Sequence, residues 1–228
     1  MRNAFIAALV STSAFASNLV GTYGMADTNG AVGSAAGAVT IDARLVPGVG
    51  GLSMGVSALV GLSDDVEFGV GGATGLDYRA GVNAGVLAPW VRARFLKHGE
   101  THLSFLAGPV IDFAVRARSL AGSEVLFTQG FGFGSLDANV GVAASFGTGQ
   151  PIGHVGAGLT VNLPALLKLY VEVFGYLTSG EGTLGERAGL AWAPSQKFAV
   201  DVSAGVIEAP ASTTPVSVFP QVGATFFL

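Results

Sequence analysis

The sequence predicts an all-β protein, a transmembrane, antiparallel, up-and-down β-barrel of about twelve strands. Half of the 228 residues are hydrophobic and only 11% are charged, whereas a soluble domain carries roughly a quarter of charged residues. The mean hydropathy is +0.58. Apolar residues also alternate with polar or small ones along many segments of the chain. We therefore expect much of the outer surface to contact lipid rather than water.

A period of two distinguishes the predicted strands from membrane-spanning helices. A helix would need about 20 apolar residues in a row, and the nearest candidate, 45–63, contains Pro47 and several glycines. Its apolar residues from Leu52 to Leu62 recur at every second position, which is the period of a strand with one apolar face. Twelve strands are predicted, at 36–46, 51–62, 66–74, 86–96, 101–114, 124–133, 135–146, 152–162, 166–177, 186–193, 197–206 and 216–228.

The connections between these strands alternate in length, as they do in membrane barrels, which have short turns on one side and longer loops on the other. Tight turns such as Ser63–Asp65 and Lys97–Glu100 alternate with longer links, predicted at 75–85, 115–123, 178–185 and 207–215. The segment 124–133 would turn Gln129 toward lipid. Ten and fourteen strands therefore remain alternatives to twelve.

Charged residues within the predicted strands lie almost entirely on the face opposite the apolar one. Because an Arg or Lys at the lipid midplane costs about 2–4 kcal/mol, we expect this face to point into the barrel. Glu186, placed at a strand end, is the exception. We predict that the lumen is lined by Asp42, Arg44, Glu67, Arg92, Arg94, Asp112, Asp137, His154, Lys168, Glu172, Arg187 and Asp201.

The end of the chain resembles a known signal. Val222, Ala224, Phe226 and Leu228 recur at every second position, which resembles the terminal strand that the outer-membrane assembly machinery of Gram-negative bacteria recognises. In that family the last residue is usually aromatic. The segment 61–70 is similar to strand–turn–strand units of porin-like and transporter-like barrels. The resemblance implies an outer-membrane location, with membrane lipid, small solutes and the barrel-assembly machinery as partners.

The N-terminus has the features of a secretory signal peptide. Arg2 precedes the short apolar run 4–10, and Ala14-Phe15-Ala16 fits the small-x-small cleavage pattern. We expect export and cleavage after about Ala16, which removes residues 1–16. Residues 17–35, rich in glycine and alanine, are predicted to be a periplasmic segment or a partial plug, and residues 36–228 form the barrel.

Little in the sequence points to catalysis. The absence of cysteine excludes disulfides, Cys-ligated metals and a cysteine nucleophile, and the formal net charge of −4 offers no basic surface for nucleic acid. The chain has three histidines, His98, His102 and His154. None of them is followed shortly by Ser-Asn-Gly, which is the local signature of outer-membrane phospholipases. We predict no catalytic residue, no cofactor, no metal and no nucleic-acid partner.

The predicted function is a passive or weakly selective channel for small solutes. The charges of the lumen could also pair across the interior and close it. In that case the protein would be a non-conducting structural or surface-interaction barrel, with the loops at 75–85, 115–123, 178–185 and 207–215 facing the exterior. A lipid-modifying outer-membrane enzyme is the third alternative.

Overall fold

A computed structural model describes residues 34–48, 51–77, 81–82, 85–113, 119–178, 181–208 and 216–228. The predicted signal peptide, and residues 17–33 of the predicted N-terminal segment, lie outside these residues. No helix in the described part of the chain is long and apolar enough to cross a membrane. The strands are β1 Val39–Gly48, β2 Gly51–Gly61, β3 Val66–Asp77, β4 Gly81–Val82, β5 Val86–His98, β6 Thr101–Asp112, β7 Leu120–Phe131, β8 Gly134–Ser145, β9 Pro151–Leu163, β10 Leu167–Thr178, β11 Glu181–Ser195, β12 Phe198–Glu208 and β13 Val216–Phe227.

Antiparallel pairing between the first and last strands closes the sheet into a barrel. The register of β1 and β13 runs from Thr40 opposite Phe227 to Leu45 opposite Val222. The other long strands pair in chain order, and the two-residue strand β4 pairs with the end of β3. Twelve strands therefore form the wall, which confirms the predicted fold class and strand number.

The two ends of the barrel differ in their connections. The turn end carries the start of β1 and the end of β13. It also carries the short turns after β2, β5, β7, β9 and β11. The loop end carries the remaining connections, including 78–85 with β4 and 113–119. The links 78–85, 113–119 and 209–215 are longer than the turns, as expected from the sequence, whereas the link between β10 and β11 comprises only residues 179–180.

The two largest errors in the predicted boundaries lie where small and polar residues interrupt the apolar alternation. Strand β7 begins at Leu120 and β11 at Glu181, so the links predicted at 115–123 and 178–185 are shorter than expected. Glu186 consequently lies five residues inside β11 and not at its end, and its side chain faces outward. Backbone pairing with β10 extends β11 through this region, from Leu177 opposite Gly182 onward.

Strand β7 forms even though Gln129 faces away from the lumen. The hydroxyl of Thr101 donates to Gln129 Oε1 at 2.6 Å, and Gln129 Nε2 donates to the carbonyl oxygen of Gly130 at 2.8 Å. Gln129 lies near the turn end, two residues before the last residue of β7. Its amide is therefore satisfied locally, and the polar outward residue does not break the strand.

The two faces of the wall have opposite chemistry. In β12, Val202 and Ala204 are exposed on the outside, whereas Asp201, Ser203 and Gly205 are buried on the inside. The same alternation leaves large apolar side chains exposed around the whole wall. Outward-facing aromatic residues near the turn end include Phe68, Phe95, Trp192 and Phe226, and Phe113 and Phe146 lie at the loop end. An apolar band flanked by aromatic residues suits a bilayer.

Aromatic rings on the inner face pack over glycines of the neighbouring strand. In each case the ring and the glycine are direct partners in the register, and a Cβ added to the glycine would overlap the ring. These side chains therefore lean along the wall instead of extending across the lumen, and each glycine provides the space for one ring. The four pairs are Trp90 with Gly69, Phe174 with Gly185, Tyr170 with Gly189, and Phe219 with Gly205.

Placing a charge on the outer face should destabilise the barrel in a bilayer. Val171 lies near the middle of β10 and is 43% exposed. We expect Val171→Arg to lower the free energy of unfolding by about 2–4 kcal/mol, since the guanidinium would enter hydrocarbon. Denaturant titration of the barrel refolded in lipid vesicles measures this, with Val171→Leu as the matched apolar control. Equal stability of the two variants would contradict the assignment of this face to lipid.

Candidate functional site

The inner face of the wall carries all twelve charged and histidine residues that the sequence analysis placed in the lumen. Arg94 and Lys168 are partly buried near the turn end. The other ten are buried: Asp42, Arg44, Glu67, Arg92, Asp112, Asp137, His154, Glu172, Arg187 and Asp201. Glu124 shares this face. Together with Glu124, these named inner-face residues include seven carboxylates and five cationic side chains.

An ion-pair cluster spans the seam where the barrel closes. Arg44 Nε and Nη2 donate to Asp42 at 2.6 and 3.0 Å, and Nη1 donates to Asp201 at 3.2 Å. The hydroxyl of Thr225 donates to Asp42 at 2.7 Å. The two-pronged contact with Asp42 is the strong geometry for an arginine–carboxylate pair. The cluster therefore connects β1, β12 and β13 through side chains as well as backbone.

A glycine makes the contact between Arg44 and Asp201 possible. Gly223 lies between them on β13, opposite Arg44 in one register and opposite Asp201 in the other. A Cβ at Gly223 would overlap the Asp201 carboxylate. The missing side chain therefore leaves the space through which the salt bridge passes over β13. Tyr170 adds a hydroxyl that donates to Asp201 at 3.4 Å.

A second ion pair lies near the turn end. Arg92 Nη2 contacts Glu67 Oε1 at 2.6 Å, and both side chains are buried. Arg94, two residues farther along β5, bonds Asp65 Oδ1 at 2.9 Å and the Asp64 carbonyl oxygen at 2.6 Å. Asp65 has a side chain that is 61% exposed. Arg94 therefore holds the turn between β2 and β3, whereas Arg92 belongs to the interior.

A mixed polar and aromatic group lies toward the loop end. His154 Nδ1 is 2.9 Å from Glu124 Oε1, and Asn139 Nδ2 donates to Glu124 Oε2 at 3.1 Å. The His154 ring stacks on Tyr176 with centroids 4.7 Å apart. This set joins four neighbouring strands, β7 to β10, so His154 is part of a structural network in the lumen.

Arg187 combines a carboxylate with two aromatic rings. Its Nη1 is 3.0 Å from Glu172 Oε1, with both side chains buried. The guanidinium carbon lies 4.9 Å from the ring centroid of Phe219 and 5.9 Å from that of Phe174. Arg187 is thus held by a cation–π contact and an ion pair together.

Two carboxylate residues of the inner face have hydroxyl contacts. Asp137 accepts hydrogen bonds from Thr128, at 2.5 Å, and from Ser135, at 3.1 Å. The backbone N–H of Asp112 donates to the Ser119 hydroxyl at 2.9 Å, near the loop end. The inner face therefore combines arginine–carboxylate pairs with the hydroxyl-bound carboxylate of Asp137.

Several neutral polar side chains of the inner face are not among the predicted lumen residues. Tyr170, Asn139, Gln221 and Thr225 are buried on the inner face, and alternation with apolar residues could have placed them there. The sequence does not predict their direction as strongly as that of a charged residue, because a neutral side chain has no large free-energy cost when it faces lipid. Among the described residues, no group of three or more His, Cys, Asp or Glu side chains is arranged to hold a metal ion.

Comparisons with known proteins identify the fold. No family model and no curated protein matches this sequence. The NanC porin matches with a TM-score of 0.67 and 6% identity, over 82% of this chain and 98% of that chain. The KdgM porin gives 0.63 and 7%, with the same coverage. An outer-membrane channel from Pseudomonas putida F1 gives 0.58 and 11%, over 87% of this chain and 98% of that chain. The resemblance to porin-like barrels is confirmed at the level of the fold.

Removing the arginine at the seam should cost far more stability than removing the arginine at the turn. Arg44→Met leaves Asp42 and Asp201 without their cation in the interior, and breaking a buried pair in this way costs about 3–5 kcal/mol. Arg94→Met is the matched control, and because its partner Asp65 is mostly exposed we expect a loss of about 1 kcal/mol or less. Unfolding in lipid vesicles measures both. Losses of equal size would show that the seam cluster does not stabilise the closed barrel.

Proposed function

We propose that this protein is an outer-membrane channel for small solutes, passive and weakly selective. The observation that carries the proposal is the distribution of charge: the inner face of a closed barrel holds twelve charged side chains, while the outer face is apolar. Such a wall suits a lipid exterior and a polar interior. Rings of charged side chains in a lumen set the selectivity of channels.

Stability alone does not account for so many charges inside the barrel. Buried ion pairs can often be replaced by apolar side chains of similar volume with no loss of stability, because desolvation of the charges offsets their attraction. A barrel that needed only to be stable could therefore fill its interior with apolar residues. The charged side chains of the inner face are better explained by a passage for ions or polar solutes.

The inner face favours small solutes and, weakly, cations. Most of its charged side chains are buried, so we expect the passage at their level to be narrow. The inner-face residues named above include seven carboxylates and five cationic groups. The KdgM porin has been solved with disordered oligogalacturonate, which is a polymer of carboxylated sugars. The acidic balance here disfavours such a polyanion and favours small cations and neutral molecules.

The same proposal assigns the partners and the route to the membrane. Outer-membrane lipid would contact the apolar band, and the assembly machinery would recognise β13, whose last residues close the barrel against β1. A signal peptide cleaved after Ala16 would direct export. The outward position of Phe226 and Val222, with 43% and 51% exposure, supports a terminal strand of this kind.

A non-conducting barrel is the second candidate, and the deep burial of the inner face is the observation that favours it. In that case the ion pairs would act as a closed core and the loops at the loop end would carry the function. For a lipid-modifying enzyme, His154 is the histidine that is buried on the described inner face. Its contacts with Glu124, Asn139 and Tyr176 favour a structural role over that of a catalytic base.

Ion conductance in a planar bilayer tests the proposed function. We expect the refolded full chain to produce discrete conductance steps, and its reversal potential in a KCl gradient to show a weak preference for K⁺. Asp137→Asn should reduce that preference, because it removes a carboxylate from the lumen. Asp137 is 3% exposed and is held by hydroxyls, so the neutral amide can replace it with little disturbance.

Glu186→Gln is the matched control for this experiment. It removes the same charge from the outward-facing side of β11, and we expect the reversal potential to stay at the value of the unmodified protein. A folded barrel without conductance at any voltage would reject the channel and leave the non-conducting barrel. Conductance whose selectivity changes equally in both variants would reject the inner face as the conducting surface.

A further inference from the structure

The outer face of the wall has an apolar groove across β2, β3 and the start of β5. The groove has a volume of about 490 Å³, and the outward-facing residues that line it include Met54, Val56, Ala58, Val70, Gly72 and Leu87. Met54 is the fourth residue of β2 and Leu87 is the second of β5, and both strands start at the loop end. The groove therefore lies in the half of the wall that is nearer the loop end.

The register of the strands explains how the groove arises. Val56 lies opposite Gly72, and Ala58 lies opposite Val70. The two small residues therefore occupy one diagonal of a square on the outer face, and the two valines occupy the other. Diagonal neighbours on one face of a sheet are only about 7–8 Å apart. The groove thus follows the diagonal from Ala58 to Gly72, and Leu87, opposite Gly72 on the other side of β3, extends its wall.

The walls of the groove are open to the surroundings of the barrel. Met54 and Val56 are 47% and 46% exposed, and Val70 and Leu87 are also exposed. These side chains belong to the apolar outer face, which suits a bilayer. A polar or charged ligand would lose its hydrogen bonds with water at this depth, so the groove suits an apolar occupant.

We propose that this groove binds one acyl chain of a lipid from the leaflet on the side of the loop end. An acyl chain is long, thin and flexible, so it can follow a diagonal groove between two valines. Within a bilayer, packing contacts rather than the hydrophobic effect hold apolar groups together. A chain in the groove contacts protein below it and on both sides, whereas a chain on a flat part of the wall contacts protein on one side. The lipid in the groove should therefore exchange more slowly than its neighbours.

The groove is too small to be the interface with a second copy of the chain. Eleven residues line it, whereas a stable protein interface has about 20–30 residues on each side. A two-fold axis through the groove would also bring the same recess of both copies together. Two recesses face to face leave a void, which lacks the close packing of a protein contact.

Retention of lipid by the solubilised barrel tests the proposal. The full chain in detergent is titrated with dimyristoyl phosphatidylcholine, and the lipids bound to each barrel are counted by native mass spectrometry. We expect saturation at one retained lipid. Dimyristoyl phosphatidylglycerol should be retained equally well, because the groove contacts the acyl chain and not the headgroup.

Ala58→Phe fills the groove, and Ala188→Phe is the matched control. Ala188 is exposed on the same outer face between Val171 and Ala204, away from the groove. We expect Ala58→Phe to weaken lipid retention about tenfold or more, because the ring takes the place of the chain and its contacts are lost. Ala188→Phe should retain lipid like the parent. Gly72 is a poorer site for this test, because a Cβ there would lie 3.3 Å from the Val86 carbonyl oxygen and disturb the wall itself.

Leu87→Ala tests the same site by removing part of its wall instead of filling it. We expect this variant to retain lipid about threefold less tightly, since the chain loses contacts on one side. The smaller side chain adds no volume to the outer face, so the variant provides a reading of the site even if Ala58→Phe does not fold.

Four results would overturn the proposal. The parent would retain no lipid in a saturable manner, or retention would be the same in the parent, Ala58→Phe and Leu87→Ala. Retention would depend on the headgroup. The parent would form a dimer that Ala58→Phe abolishes, so that a second copy and not a lipid occupies the groove. None of these results depends on conductance, because the groove lies outside the lumen.

Discussion

Closure of the sheet between β1 and β13 is the constraint on which the rest of this structure depends. A strand edge in lipid would leave backbone groups unpaired, so a membrane sheet must close. Here the register from Thr40–Phe227 to Leu45–Val222 satisfies that requirement, and Val39 and Leu228 extend it with hydrogen bonds of 3.2 and 2.9 Å. Once the wall is closed, alternation along each strand divides the residues into a lipid face and an inner face.

The same seam shows how the inner face is built. Arg44 reaches Asp42 beside it and Asp201 two strands away, and Gly223 leaves the space between them. Glycines opposite Trp90, Tyr170, Phe174 and Phe219 have a similar role for aromatic rings. The high glycine content thus positions large and charged side chains along the wall. Arginines paired with carboxylates can remain ionised inside the barrel, which is the condition for a polar passage.

Much of this architecture follows from a single pattern in the sequence. The alternation of apolar residues at every second position predicts the twelve strands. The free-energy cost of a charge in lipid then predicts which charged residues lie on the inner face. The alternation failed at the start of β7 and β11, where backbone pairing extends strands through small and polar residues. Tyr170 and Gln221 lie in the phase of the inner face, but their neutral side chains carry no large penalty against facing lipid and were not among the predicted lumen residues. The packing of the residues just before β1 could not be predicted, since the hydrogen bond from Ser34 N to Glu67 joins residues 33 positions apart and a side chain at Gly61 would overlap the Ala35 carbonyl oxygen.

The central claim is that the outer face of the wall contacts lipid, whereas the inner face is polar and shielded from lipid. Spin labels at two adjacent positions test this claim most directly. In the cysteine-free chain, Val202→Cys and Ser203→Cys place a label on opposite faces of β12, at residues that are exposed and buried respectively. We predict that the label at 202 in a bilayer is strongly accessible to dissolved oxygen, and that the label at 203 is immobilised and poorly accessible to it. Equal oxygen accessibility at the two positions, or the reverse order, would contradict the structure and the function built on it.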